Sequence, residues 1–306
     1  MLAFYFIYRE FLQKGDKLRE FEILISHIGH QRVITVMSIV VVLMLVNWLL
    51  ESFKWHYLTR NLTKTSMLDA IEAVFCGLTW AIFTPNRLGE YAGRVLFLPT
   101  HKRAYGVFAM AVGSFGQNVI TNVVGLSAAM WFLFKYVSLN PLIYAAIVIG
   151  SIVFMLFMIV FYFHIIWLVN ILNRIPFIKN YHRFFDIMAG YKKAELINIM
   201  LFCLARFAVF SFQYYLIIHM LIPSIPMYEI FLMVFILFFV QSALPSLDII
   251  DVAIRNGTAA YLFSFVTGQS AAIMAAVSSI WLINLIIPAI LGSVFVFKLK
   301  FFDRNL

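Results

Sequence analysis

The run Thr84-Pro85-Asn86-Arg87-Leu88-Gly89-Glu90-Tyr91-Ala92-Gly93-Arg94 interrupts an otherwise apolar stretch, residues 73–98. Proline removes a backbone donor and clashes with the preceding helical turn, so the stretch divides into two pieces, each about half a membrane long at roughly 1.5 Å per residue. The same interruption recurs in residues 230–265, at Leu244-Pro245-Ser246-Leu247-Asp248-Ile249-Ile250-Asp251-Val252-Ala253-Ile254-Arg255. In both runs an acid precedes an arginine by four residues. Glu90 with Arg94 and Asp251 with Arg255 therefore fit the favourable acid-first helical pairing, and Asn86 and Ser246 suit the N-cap positions of the returning half-helices.

The surrounding chain identifies the solvent. Of 306 residues, 63% are hydrophobic and 12% charged, too apolar a balance for one soluble core to hide. A content of 33 Phe and 14 Met beside 14 Gly and 8 Pro suits helices in lipid, whereas a membrane barrel would show short alternating strands. Spanning takes about 20 apolar residues, and residues 33–55, 105–134, 141–172, 196–221 and 270–297 meet that length. The fold class is all-α, a polytopic helical membrane protein forming a single integral membrane domain over 1–306. Residues 1–8 are apolar but too short to span and read as the remnant of a clipped first helix.

A formal net charge of +9 could suggest nucleic acid, but Lys and Arg are scattered between apolar spans and read as topology signals. The acid-poor basic loops, 54–64 (Lys54, Arg60, Lys64), Lys102-Arg103, 174–193 and the tail 298–304, belong on the cytoplasmic side. The loops near Asn140 and at 223–226 belong outside, and the mixed segment 9–32 can lie outside. On that path residues 67–102 leave and regain the cytoplasmic face as a re-entrant hairpin with its tip at Pro85. Residues 228–265 form a second hairpin entering from outside, with its tip at Pro245. Span, hairpin and span at 33, 85 and 105 recur at 196, 245 and 270. This order predicts an inverted repeat, with halves of about 33–134 and 196–297 linked by the span at 141–172, and inverted repeats place binding sites at their broken helices.

A charge at the bilayer centre costs about 2.5–3.5 kcal/mol, so Arg87, Glu90, Arg94, Asp248, Asp251 and Arg255 must face protein or water. A half-helix start also presents unpaired N–H groups and a positive dipole end, which makes each tip suited to an anionic group such as phosphate. Gln117, Asn118 and Asn122 on the span at 105, and Arg206 with Gln213 on the span at 196, add polar atoms at similar depth. Arg206 has no acid within four residues, and Asp251 or Glu90 is its expected partner. A purely structural role is the alternative: the paired charges lock the broken helices, and Asn118, Asn122 and Gln213 serve as interhelical hydrogen-bond glue. Trp48, Trp55, Trp131 and Trp167 near span ends read as an interfacial belt.

Catalytic motifs are absent from the sequence, with no HExxH, GxSxG, P-loop or nucleotide-binding glycine pattern, and no cofactor is expected. Cys76 and Cys203 lie far apart in apolar segments, which provides neither a disulfide framework nor a CxxC site. His27 and His30 read as solvated.

The run Thr84 to Arg94 resembles the Pro-x-Arg-x-Gly-Glu segment, with its following Arg, of the transmembrane region of lysylphosphatidylglycerol synthases and their stand-alone flippase-like relatives. Leu204-Ala205-Arg206-Phe207 running to Gln213-Tyr214 resembles that family's Arg-aromatic helix, and Trp281, Asn284, Pro288 and Gly292 resemble its final span. The second tip departs from the family pattern, with Asp248 and Asp251 where Gly and Glu are usual, while Arg255-Asn256-Gly257 resembles one branch. The resemblance implies a multi-pass protein of a plasma membrane, the bacterial inner membrane, and the basic tail puts the C-terminus on the cytoplasmic side. It also implies a module that binds or translocates lipid, without the aminoacyl-transferring domain.

The resulting expectation is a non-enzymatic, flippase-like protein whose partner is a lipid with an anionic headgroup. In it Arg87, Arg94, Arg206 and Arg255 hold the phosphate and Glu90 and Asp251 counterbalance them. A non-transporting lipid-binding scaffold, as a homo-oligomer or beside a lipid-modifying enzyme, is the second reading. An intramembrane lipid-modifying enzyme using Glu90, Asp248 or Asp251 is the third.

Overall fold

The computed structural model describes residues 28–82, 84, 87–173, 188, 190–243 and 248–296, with the side chains of 168, 172–173 and 248–251 outside that description. Among the described residues every regular element is helical. These are α1 (His30–Thr59), α2 (Met67–Ala81), α3 (Leu88–Val95), α4 (Arg103–Tyr136), α5 (Pro141–Phe163), α6 (Ile165–Asn173), α7 (Lys193–Leu221), α8 (Met227–Ala243), α9 (Asp248–Phe263), α10 (Ser270–Trp281) and α11 (Ile287–Val296). A π turn, Leu282–Ile286, joins the last two. Five helical stretches are long and apolar enough to cross a membrane: α1, the stretch Thr100–Tyr136, α5, α7 and Ser270–Val296.

Local chemistry sets the helix starts. The Ser66 hydroxyl accepts from the Asp69 N–H at 3.1 Å while the Asp69 carboxylate accepts from the Ser66 N–H at 3.0 Å, a complete capping box at α2. Asn140 accepts from the Leu142 N–H at 2.9 Å ahead of Pro141 at α5. The single span expected over 141–172 is instead two helices. His164 leaves helical geometry at φ −116°, ψ 46° and separates α5 from α6.

Large apolar side chains face outward, including Leu142, Ile149, Val153 and Phe157 on α5, as lipid requires and water does not. Within the bundle α1 lies along α7, α2 packs on α3 and on α11, α8 packs on α4, and α9 packs on α10. Two glycines permit the closest of these approaches. A Cβ at Gly292 on α11 would lie 2.6 Å from the Phe75 carbonyl carbon of α2, and one at Gly125 on α4 would lie 2.9 Å from the Phe235 carbonyl oxygen of α8.

Two expectations about individual side chains need correction. Trp48 and Trp55 are not in an interfacial belt, because both are buried in the core of the bundle. Lys54 is not a loop residue. It lies inside α1, 3% exposed, so Arg60 and Lys64 alone carry the basic signal of the loop after α1. There the Glu195 carboxylate, 2.5 Å from the Arg60 guanidinium, raises the arginine above its ordinary value.

Candidate functional site

The first broken segment folds back on itself because three glycines let two helices touch. A Cβ on Gly93 of α3 would lie 2.6 Å from the Gly77 Cα of α2, and one on Gly89 would lie 2.6 Å from the Trp80 carbonyl carbon. The residues pair in antiparallel order, which makes α2 and α3 a helical hairpin. Pro85 and Asn86 lie outside the described residues. The cap position of α3 is Arg87, and the cap bond comes from Thr84, whose hydroxyl accepts from the Gly89 N–H at 2.6 Å. Arg87 has φ 57° and is the only non-glycine residue with positive φ among those described. Such a backbone costs about 1–3 kcal/mol and persists where its surroundings over-determine it. Here the side chain is tied to Glu90, with Nε 3.2 Å from Oε2.

From Glu90 an ion network runs into the bundle. Arg94 donates to Glu90 through Nη2 and to Glu51 of α1 through Nη1, the latter at 2.5 Å. Glu51 also accepts from Arg206 of α7 and takes Lys54 at 2.8 Å. Arg206 donates through Nε to Asn47 Oδ1 at 3.2 Å, with its guanidinium carbon 5.4 Å from the Trp48 ring centroid. Among the described side chains the ion-pair partner of Arg206 is therefore Glu51 rather than Glu90, and the Asp251 side chain lies outside the described residues. One buried carboxylate thus links three helices through three cations. Such an arrangement holds only while all partners remain, since an unpaired buried charge is far costlier than the net gain of a pair.

This network forms one wall of a cavity of about 480 Å³. Arg87, Glu90, Gln117, Asn118, Arg206 and Arg255 line it, so the bundle brings together residues from both interrupted segments and from two full spans. Arg94 stands behind this wall at 1% exposure. Gln213 is fully buried away from the lining and donates to the Val40 carbonyl at 2.9 Å, tying α7 to α1. The side chains of Asp248 and Asp251, Ser246 as a cap, and His27 lie outside the described residues. Arg255 donates through Nη1 to Gln241 Oε1 of α8 at 2.7 Å, and Asn256 donates to Ser278 of α10 at 2.8 Å. Asn122 donates to its own helix at the Asn118 carbonyl, 2.7 Å away.

Sequence reasoning missed Asn47, Trp48, Glu51, Lys54, Gln241, Trp281 and Asn284 as lining residues. Glu51 carried a signal, being an acid within an apolar helix with a lysine three residues on. At a helix end that pattern equally describes a solvated ion pair. The described lining carries the cationic side chains Lys54, Arg87, Arg206 and Arg255 and the carboxylates Glu51 and Glu90. Phe207, Phe210, Phe238, Met110 and Leu285 add apolar surface beside neutral polar residues. The described residues contain no cluster of His, Cys, Asp or Glu able to hold a metal ion.

No protein-family model, curated protein or solved structure matches this chain.

Proposed function

We propose that this protein binds the anionic headgroup of a membrane lipid in the central cavity and carries it between leaflets. The observation that carries the proposal is the lining itself. Cationic side chains, Lys54, Arg87, Arg206 and Arg255, line the same cavity as aromatic and aliphatic ones, as a phosphate joined to an acyl chain requires. The resemblance of the Thr84–Arg94 run and of Arg206-Phe207 to lysylphosphatidylglycerol synthase transmembrane regions points the same way, as does the absence of catalytic sequence motifs. In this reading Arg87, Arg206 and Arg255 contact the phosphate. Arg94, Glu90 and Glu51 hold those arginines in place, and Gln117 and Asn118 contribute neutral hydrogen bonds.

The packing supports an inverted repeat over 33–134 and 196–297. The broken helix of each half packs on the last helix of the other, α2 on α11 and α8 on α4. Both contacts pass through a glycine, Gly292 against Phe75 and Gly125 against Phe235. Each returning half-helix is also bonded to a serine of the span that follows it, Tyr91 to Ser114 at 3.0 Å and Asn256 to Ser278 at 2.8 Å. Two hairpins entering from opposite faces would expose the cavity alternately to each side.

The test is leaflet exchange of a labelled anionic phospholipid in vesicles containing the reconstituted full chain. Wild type should accelerate exchange over protein-free vesicles. Arg206→Ala and Arg255→Ala should each lower it at least about tenfold, the effect of losing a hydrogen bond to a charged group, while thermal unfolding in detergent still shows a cooperative transition. Unchanged exchange in both variants overturns the role of the arginines, and wild-type exchange no faster than protein-free vesicles overturns translocation.

A further inference from the structure

Beyond the ion network the cavity lining carries a second kind of chemistry. Trp281 Nε1, Asn284 Oδ1, Gln241 Nε2 and Gln117 Oε1 are buried without a hydrogen-bond partner, and all four residues line the central cavity. For two of the amides, hydrogen bonding settles which end is left over. A guanidinium only donates, so the bond from Arg255 at 2.7 Å occupies Gln241 Oε1 and leaves its nitrogen. Asn284 donates through Nδ2 to the Ile280 carbonyl at 3.2 Å and keeps its oxygen. These four atoms are two donors and two acceptors left unmatched by the protein, none of them charged. A buried polar group left unmatched costs about 1–3 kcal/mol, and four in one cavity call for a ligand that supplies both roles.

Backbone geometry marks the same place. The last span turns into π-helix over Leu282–Ile286, immediately after Trp281 and around Asn284. Single π turns within α-helices are frequent at functional sites because they re-aim side chains. Trp48 is bonded there as well, its Nε1 donating to the Asn284 carbonyl at 3.2 Å. The aromatic side chains Trp48, Tyr91 and Trp281 supply apolar faces beside these polar atoms.

We infer that the cavity takes a polyhydroxylated phosphate ester, a sugar or cyclitol joined to the phosphate that the arginine wall binds. The inference rests on the proposed anionic-headgroup site and deepens it. A hydroxyl both donates and accepts, so vicinal hydroxyls match two donors and two acceptors at once, and the C–H faces of a ring pack on aromatic side chains. An alkyl phosphodiester supplies acceptors but no donor, and a quaternary ammonium group supplies neither, so both leave the two unmatched acceptors bare. A hydroxyl can also replace a water without losing its hydrogen bonds, whereas an apolar group cannot. The ring can arrive on a lipid or on a soluble ester, and the test separates the two.

The full chain in detergent is titrated with phosphatidylinositol and with phosphatidylmethanol of identical acyl chains, two phosphodiesters of equal charge that differ in hydroxyls. Phosphatidylinositol should bind about fivefold tighter or better, the worth of one or two net neutral hydrogen bonds. Trp281→Phe and Gln117→Met, which delete an unmatched donor and an unmatched acceptor, should each bring the ratio of the two affinities toward one. Competition by myo-inositol 1-phosphate at concentrations comparable with the lipid makes the ligand a soluble ester, and failure to compete makes it a lipid. Equal binding of the two lipids, or a ratio unchanged in both variants, overturns this inference and leaves the anionic-headgroup site standing. Binding of neither lipid, with no competition partner found among the esters, overturns both.

Discussion

The two interrupted segments share a sequence plan and are held by different physics. The first hairpin closes by contact of bare backbones, with Gly77 against Gly93 and Gly89 against Trp80. Its charge, Arg94, is sealed between two carboxylates at 1% exposure. In the second, Gly257 on α9 has nothing within 4 Å of where a Cβ would stand. Its Arg255 remains half-buried on the cavity wall, bonded to a neutral amide. One copy of the device is built as a rigid wall around a buried ion network. The other presents its arginine to the space the ligand would fill. Under the proposed translocation the first copy would anchor and the second would move, because tightly packed interfaces have fewer accessible arrangements than open ones.

The largest effect should follow from breaking the anchor. Glu51→Ala strands Lys54, Arg94 and Arg206 without their shared carboxylate, and removing one partner of a buried pair costs about 3–5 kcal/mol. Thermal unfolding in detergent should show it as the steepest loss among single substitutions at the cavity, and a melting temperature unchanged within error would refute the network's structural weight. Next comes the glycine contrast. Gly93→Ala must push α3 off α2 and should destabilise by about 1–3 kcal/mol through overpacking. Gly257→Ala should be neutral or stabilise by up to about 1 kcal/mol, since alanine is the better helix former. Equal effects at the two sites would remove the proposed difference in rigidity.

A small loss of stability should come from Gln241→Leu. It deletes a hydrogen bond to a charged group, worth about 1.5–3 kcal/mol when buried, but Arg255 borders the cavity and water can replace the amide. A shift under about 1 kcal/mol in unfolding, with a measurable change in lipid exchange, is the expected pattern. The reverse pattern, a large stability loss with exchange intact, would make Arg255 a structural residue like Arg94.

Much of this was legible along the chain because it depends on sequence neighbours alone. Hydropathy over a window depends on composition, so four of the five long apolar stretches appear as helices with ends displaced by only a few residues, from 33–55 to His30–Thr59, for example, while 141–172 is divided at His164. The link between Glu90 and Arg94 lies within one helical turn, and a spacing of four residues suffices to predict it. The tip of the first hairpin was legible in place but not in detail. Thr84 reaches across the break to cap Gly89, and no propensity for Asn86 as a cap could reveal that bond.

What only the tertiary structure decided concerns partners from different spans. Glu51 and Lys54, three residues apart near the end of a span, have the sequence signature of a solvated pair at a membrane boundary. The close approach of α7 and of the first hairpin removes their solvent and supplies Arg206 and Arg94. Trp48 and Trp55 were displaced from an interfacial belt to the core by the same packing. Gln241, Trp281 and Asn284 are ordinary polar and aromatic residues of apolar helices until helices from across the bundle enclose them around one cavity. By itself the sequence determined which segments prefer lipid and where the backbone must break, because both follow from the transfer and hydrogen-bonding properties of adjacent residues. The electrostatic partners, and with them the site, depend on which helices touch, and that information resides in distances across the bundle rather than along the chain.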